Sequence, residues 1–300
     1  MKNMIWRGVM PAITTAFDER LNIDHAFVAR HCNWLVDNGC TGIVTPGSLG
    51  ESATLSVEEK QSLWTTVVEA VGDRVPVVAA IASLSTAEAV ELSKSAADLG
   101  CSGLMVLPPY VYQGDWREMK THVEAIFRAT NLSCMLYNNP VAYGTDFLPE
   151  QIRELAAEHA NFEAVKESST DVRRVTWIRE LTGDRLAIFV GVDDAIVEAI
   201  AVGAVGWIAG LVNAFPKESV ALFDYAMNGE REKAISLYNW FLPLLRMDTV
   251  PKFVQLIKLV QQEVGMGNAR VRPPRLHIVG EELQEAKRVI NDALNNKPKI

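Results

Sequence analysis

An apolar-rich run from Phe162 to Val165 ends in Lys166, and Glu167, Ser168 and Ser169 follow it at once. That pattern predicts a buried strand whose last residue carries an amine to the rim of the fold. Apolar walls strip water from such an amine and lower its pKa. A neutral lysine at pH 7 can attack a carbonyl carbon and form a Schiff base. A strand-end lysine taken alone more often reaches out to water, so the reading depends on the other residues that could serve the same chemistry.

Two segments supply candidates. In Thr45-Pro-Gly47-Ser48-Leu49-Gly50-Glu51 two glycines bracket a hydroxyl, so the backbone can turn tightly and offer N–H groups to a carboxylate. An ordinary glycine-rich turn with Ser48 facing water fits the same residues, and Glu51 is expected to hold the loop rather than touch a ligand. In Leu136-Tyr137-Asn138-Asn139-Pro140 a tyrosine stands at a strand end, placed either to move protons or to serve as a wall. Tyr110 and Tyr112 follow a rigid Pro-Pro turn and suit a mouth or an interface. Asp193, beside Asp194, is expected to cap a helix, and the small residues around Ile208 and Gly210 leave room for a ligand.

These segments need a scaffold, and the chain alternates short β-rich runs with amphipathic helical runs. Strands are predicted at 9–15, 42–45, 77–80, 103–107, 134–137, 163–166, 187–190 and 204–208. Helices follow at 24–38, 57–71, 86–99, 115–129, 149–159, 171–181, 193–201 and 217–227. Ser56, Ser85 and Thr170 are placed as N-caps. Gly39, Gly72, Gly100 and Gly183 close four of the helices. Eight such repeats predict a (β/α)8 TIM barrel at 1–228; a doubly wound sheet is the alternative, but no G-x-G-x-x-G opens a helix. Residues 229–300 carry only helical patterns and read as a C-terminal extension packed on the barrel.

Composition narrows the class. Of 300 residues 49% are apolar, enough for a large core, with no run approaching a membrane span. The N-terminus lacks a signal-like apolar region, so a cytoplasmic protein is expected. A net charge of −8 argues against a nucleic-acid partner. Cys32, Cys40, Cys101 and Cys134 form no C-x-x-C pair and read as reduced core residues. Five scattered histidines give no metal-ligand spacing.

With G-S-L-G-E at 47–51, Y-N-N-P at 137–140 and Lys166 in order, the chain resembles the dihydrodipicolinate synthase/N-acetylneuraminate lyase superfamily over nearly its whole length. The resemblance implies a barrel of class I aldolase type that uses neither metal nor organic cofactor and assembles as a homotetramer. It implies that Lys166 is the Schiff-base lysine and Tyr137 the proton-transfer residue. Gly47, Ser48 and the Leu49 N–H would hold the carboxylate of a 2-oxo acid. Asp193, Asp194, Ile208 and Gly210 would line the pocket.

Departures from the pattern bear on the substrate. Members that make dihydrodipicolinate carry two threonines between the glycines, where this chain has Ser48 and Leu49. Their carboxylate-clamping arginine falls at Ala142, and the tyrosine that they donate from a neighbouring subunit falls at Val111, beside Tyr110. N-acetylneuraminate lyases keep a Ser-Thr pair that Leu49 breaks. The expectation is a catabolic lyase acting on a small 2-oxo acid or cyclic imino acid by elimination or retro-aldol cleavage. It leans to a dehydratase or deaminase, such as a 2-keto-3-deoxy acid dehydratase or pyrroline-4-hydroxy-2-carboxylate deaminase. A pyruvate-dependent aldolase is the alternative. A non-catalytic metabolite-binding barrel stands against both, and would need neither Lys166 nor Tyr137.

Overall fold

The computed structural model describes residues 4–300; Met1 to Asn3 of the N-terminal stretch lie outside the described residues. Eight parallel strands carry the site: β1 (Gly8–Pro11), β2 (Ile43–Thr45), β3 (Val77–Ile81), β4 (Gly103–Val106), β5 (Ser133–Asn138), β6 (Phe162–Glu167), β7 (Ala187–Val190) and β8 (Gly206–Ala209). Their order is β1-β8-β7-β6-β5-β4-β3-β2. Thr41 N–H donates to Val9 O at 2.9 Å and Ile13 N–H to Val44 O at 3.0 Å, which closes the ring between β1 and β2. The expected (β/α)8 barrel is what forms.

Around the strands run α1 (His25–Asp37), α2 (Val57–Val71), α3 (Thr86–Asp98) and α4 (Trp116–Ala129). The single turn α5 (Pro140–Tyr143) precedes α6 (Pro149–Glu158), α7 (Arg173–Thr182), α8 (Ile196–Ala201) and α9 (Pro216–Met227). Ser56 and Ser85 cap α2 and α3 through the N–H groups of Glu59 and Glu88, as their spacing predicts. Thr170 does not cap α7. Its backbone is left-handed (φ +70°), which turns the chain sharply off β6. Asp171 takes the capping role instead, accepting from Arg173 N–H at 3.0 Å. β1 also stops at Pro11, short of the expected 15, because Thr14 and Thr15 turn their hydroxyls to Gln261 Oε1 (2.8 Å) and Gly50 O (2.6 Å).

The period-two alternation of each strand divides the core. Val165 of β6 packs with the helix-facing cluster, whereas Ala164 joins the barrel interior with Met10, Val44, Met135 and Phe189. Lys166, two residues on from Ala164, therefore points inward. Tyr137 is its registered neighbour on β5, so the two side chains rise side by side at the C-terminal rim.

Beyond α9 lie α10 (Arg231–Leu245), α11 (Phe253–Glu263) and α12 (Gly280–Asn295). Buried charge fastens this extension to the barrel mouth. Lys258 Nζ lies 2.6 Å from Glu51 Oε1, with side-chain exposures of only 2% and 0%. Arg272 N–H donates to the other Glu51 oxygen at 3.0 Å, and its guanidinium grips both oxygens of Glu59 at 2.6 and 2.8 Å. Glu51 itself has a left-handed backbone (φ +58°), so the pair holds the end of the glycine loop in a strained shape. That is the holding role read for it from the sequence.

Lys258→Met would leave the Glu51 carboxylate buried without its cation. A loss of about 3–5 kcal/mol in urea unfolding is expected. A loss under about 1 kcal/mol would show that Arg275, whose Nη1 is 3.9 Å from Glu51, takes over the charge.

Candidate active site

Lys166 ends in a cavity of about 480 Å³ at the C-terminal mouth of the barrel, where barrel enzymes keep their chemistry. Its side chain is buried, and Nζ stands 3.9 Å from the centre of the Tyr137 ring. Burial lowers its pKa to about 8, while the acidic groups Asp248 and Asp193 nearby oppose the shift. At pH 7 roughly a tenth of such amines are neutral, against fewer than about one in a thousand for an exposed lysine. Gly191 makes the space: a Cβ there would lie 2.3 Å from Lys166 Cε and 2.1 Å from Ser168 Oγ.

Tyr137 is buried above the amine, and its hydroxyl accepts from Asn139 Nδ2 at 2.9 Å. Burial pushes its pKa up to about 12, which keeps the phenol protonated and able to donate. Gly47, Ser48 and Leu49 form the facing wall. Ser48 hydroxyl is hydrogen-bonded to the Tyr143 hydroxyl, and the Tyr143 ring packs edge-on against Tyr137 at 5.8 Å. Serine, two tyrosines and lysine thus make one polar seam across the pocket.

Ile208 and Gly210 also face the cavity, but Asp193 and Asp194 do not line it. Asp193 is not the expected helix cap either. Its carboxylate accepts from Trp207 Nε1 (3.1 Å), Gly210 N–H (3.1 Å) and Leu211 N–H (2.8 Å), which pins the loop after β8. Burial raises its pKa to about 6 against the pull of those donors. Asp194 turns to Arg246, 3.8 Å away. Tyr110 packs on Tyr143 at 6.2 Å, whereas Tyr112 and Val111 stand exposed beside the mouth.

Tyr143, Asp248 and Arg275 are cavity residues that the sequence reading did not single out. Tyr143 was the findable one, an aromatic on the same turn as Y-N-N-P. Asp248 and Arg275 come from the extension, whose path over the mouth leaves no local signature. Arg275 brings a second cation, besides Lys166, to a cavity whose Ala142 position supplies none. Elsewhere, Glu124, Glu158 and His159 gather on the outer helices in a way that could hold a metal, but Lys120 Nζ already lies 2.8 Å from Glu158 and 3.7 Å from Glu124.

Residues 5–293 match the model of the dihydrodipicolinate synthetase family. The chain belongs to that family. It is 31% identical to the 4-hydroxy-tetrahydrodipicolinate synthase of Methanocaldococcus jannaschii over 97% of this chain and 99% of that protein. A solved dihydrodipicolinate synthase from Bacillus anthracis superposes with a TM-score of 0.92 at 31% identity, covering 99% of this chain and 100% of that one. The 4-hydroxy-tetrahydrodipicolinate synthase of Methylacidiphilum fumariolicum gives 0.93 at 28% identity over 96% of each chain. Dihydrodipicolinate synthetase family members are class I lyases working through a lysine Schiff base, and this chain is such an enzyme.

The buried amine makes a measurable demand. Reactivity of Lys166 toward acetic anhydride, followed by peptide mass spectrometry, is expected to rise with pH through a midpoint near 8. An amine reacts only when deprotonated, so a midpoint near the ordinary ~10.4 would mean that water solvates it.

Proposed function

We propose that this family member binds a small 2-oxo acid, or a cyclic imino acid, as a Schiff base on Lys166 and expels a group from it by elimination. The carrying observation is that Lys166, Tyr137 and Ser48 meet in one cavity to which the Tyr137 turn brings Val141 and Ala142 but no charged side chain. Elimination needs a single bound substrate, and that turn offers no charge to hold a second one. In this reading Ser48 and the backbone of Gly47 and Leu49 hold the carboxylate, and Tyr137 passes protons at the reacting carbons. Ile208 and Gly210 floor the pocket, while Asp193 keeps the β8 loop in place behind it. The iminium nitrogen is the electron sink, so the scheme calls on no metal or organic cofactor.

One observation favours a second reading. Arg275 lines the same cavity and could hold the distal carboxylate of an aldehyde that condenses with pyruvate, the reaction type that the names of the relatives imply. Assembly as a homotetramer is also proposed, supported by Leu84, Val111, Tyr112 and Val141, which stand exposed on loops around the mouth. No helix among the described residues is long and apolar enough to cross a membrane. A cytoplasmic setting is proposed, supported by four cysteines buried as free thiols.

Pyruvate with borohydride is expected to add a reduced pyruvyl group at Lys166, and Lys166→Ala to lose it; persistent labelling in that variant would sink the reading. Tyr137→Phe should still be labelled yet turn over roughly 10²–10⁴-fold more slowly. A panel of 2-keto-3-deoxygluconate, a hydroxylated pyrroline-2-carboxylate and 4-hydroxy-2-oxopentanoate should outpace condensation of pyruvate with aspartate semialdehyde by at least ~10³-fold. The opposite order, abolished by Arg275→Ala, would establish the second reading.

A further inference from the structure

A buried carboxyl oxygen calls for a partner, and Asp248 Oδ1 has none. Asp193 is the opposite case, held by donors from Trp207, Gly210 and Leu211. Surroundings this different push two carboxyl groups apart, the hydrogen-bonded one toward its ionised form and the unpartnered one toward its acid form. Burial and the charges of Asp193 and Asp194 favour the acid form of Asp248, opposed by Lys166. Asp248 ends the 3-10 turn Arg246–Asp248 of the extension and enters the cavity over Gly210. Gly210 leaves it room: a Cβ on residue 210 would lie 2.1 Å from Asp248 Oδ1 and push the carboxyl aside. Thr249, Val250 and Pro251 continue the same wall, so the carboxyl is the acidic group that this wall presents to the cavity.

The geometry points to Asp248 as the acid that protonates the group leaving C4 of a 4-hydroxy-2-oxo acid held on Lys166. The assignment rests on the Schiff-base reading above and gives that reading a residue and a reaction direction. Removal of a proton from C3 of the iminium yields an enamine. Its C2=C3 electron pair then forms C3=C4, and the C4–O bond breaks with its pair on oxygen. The Asp248 proton joins that oxygen, which leaves as water. Asp248 remains as the carboxylate and takes a proton from solvent, to which the C3 proton has passed, so the net change is loss of water. Retro-aldol cleavage needs the reverse at this position, a base that removes the C4 hydroxyl proton. A neutral carboxyl cannot supply it.

Single-turnover rates with 4-hydroxy-2-oxopentanoate and 4-chloro-2-oxopentanoate test the assignment, because chloride leaves without a proton and hydroxide does not. Asp248→Asn is expected to slow the hydroxy acid about 10²–10⁴-fold and the chloro acid by less than about tenfold. The variant should still trap pyruvate with borohydride, which also shows that it folds. Asp248→Ser should give the same split should the amide disturb the site. Equal slowing of both substrates, or of neither, overturns the role of Asp248 and leaves the Schiff-base reading standing. No pyruvate trapping by the unaltered enzyme would sink that reading and this one together. Trapping without release of water from the hydroxy acid would overturn this one alone.

Discussion

Keeping an amine out of water at the end of β6 sets the terms for the rest of the mouth. A lysine prefers its charge solvated, and desolvation, partly offset by nearby acidic groups, leaves the Lys166 pKa at about 8. Every neighbouring choice follows from holding it there. Gly191 gives up its side chain so that the lysine stem can pass. Tyr137, in register on β5, lays a ring face against Nζ and excludes water from that side. Asp193 supplies negative potential that stops the pKa from falling further. Had that carboxylate made a short pair with the amine, the lysine would stay charged and inert. Asp193 instead spends its oxygens on Trp207 and the β8 loop.

A site so placed has to be rigid, and loops are the softest part of a barrel. The extension answers that need. Lys258 and Arg272 reach from the far end of the chain to Glu51 and Glu59, at the end of the glycine loop and the start of α2. Both cations also lie over the face of Phe17. Buried pairs of this kind add little net stability over an apolar substitute, so their value here is positional. They steady the loop that carries Ser48, and Arg275, whose N–H donates to Arg272 O, reaches the cavity wall beside them. The helices beyond the barrel are therefore part of the active site rather than an attachment to it.

That division explains what could be read from the sequence. Lys166, Tyr137 and Ser48 were legible because each sits where a period-two apolar run gives way to polar residues, and the barrel topology brings such ends together. Capping by Ser56 and Ser85 was legible because it depends on three residues of local chain. Asp193 was misread as a cap because its real donors lie 17 and 18 positions onward. Thr170 was misread because nothing local announces a left-handed turn at a threonine. Asp248 and Arg275 were beyond reach, since their place depends on how α10 and α11 cross the mouth.

Close likeness to synthases and a different reaction need not conflict. Every path through a lysine Schiff base starts with the same events, namely attack at C2 and loss of water to give the iminium. The branch comes only at the next carbon. An acid beside the C4 oxygen lets that oxygen leave; a base there breaks the bond between C3 and C4; an aldehyde held there becomes a new bond. Lys166, Tyr137 and the glycine loop would serve all three outcomes and belong to the barrel. The residues that would choose among them, Ala142, Asp248 and Arg275, stand on a βα loop and on the extension, where substitution costs the barrel core nothing. Overall identity to relatives is dominated by the barrel that all members need, so it reports the shared intermediate far better than the branch taken from it.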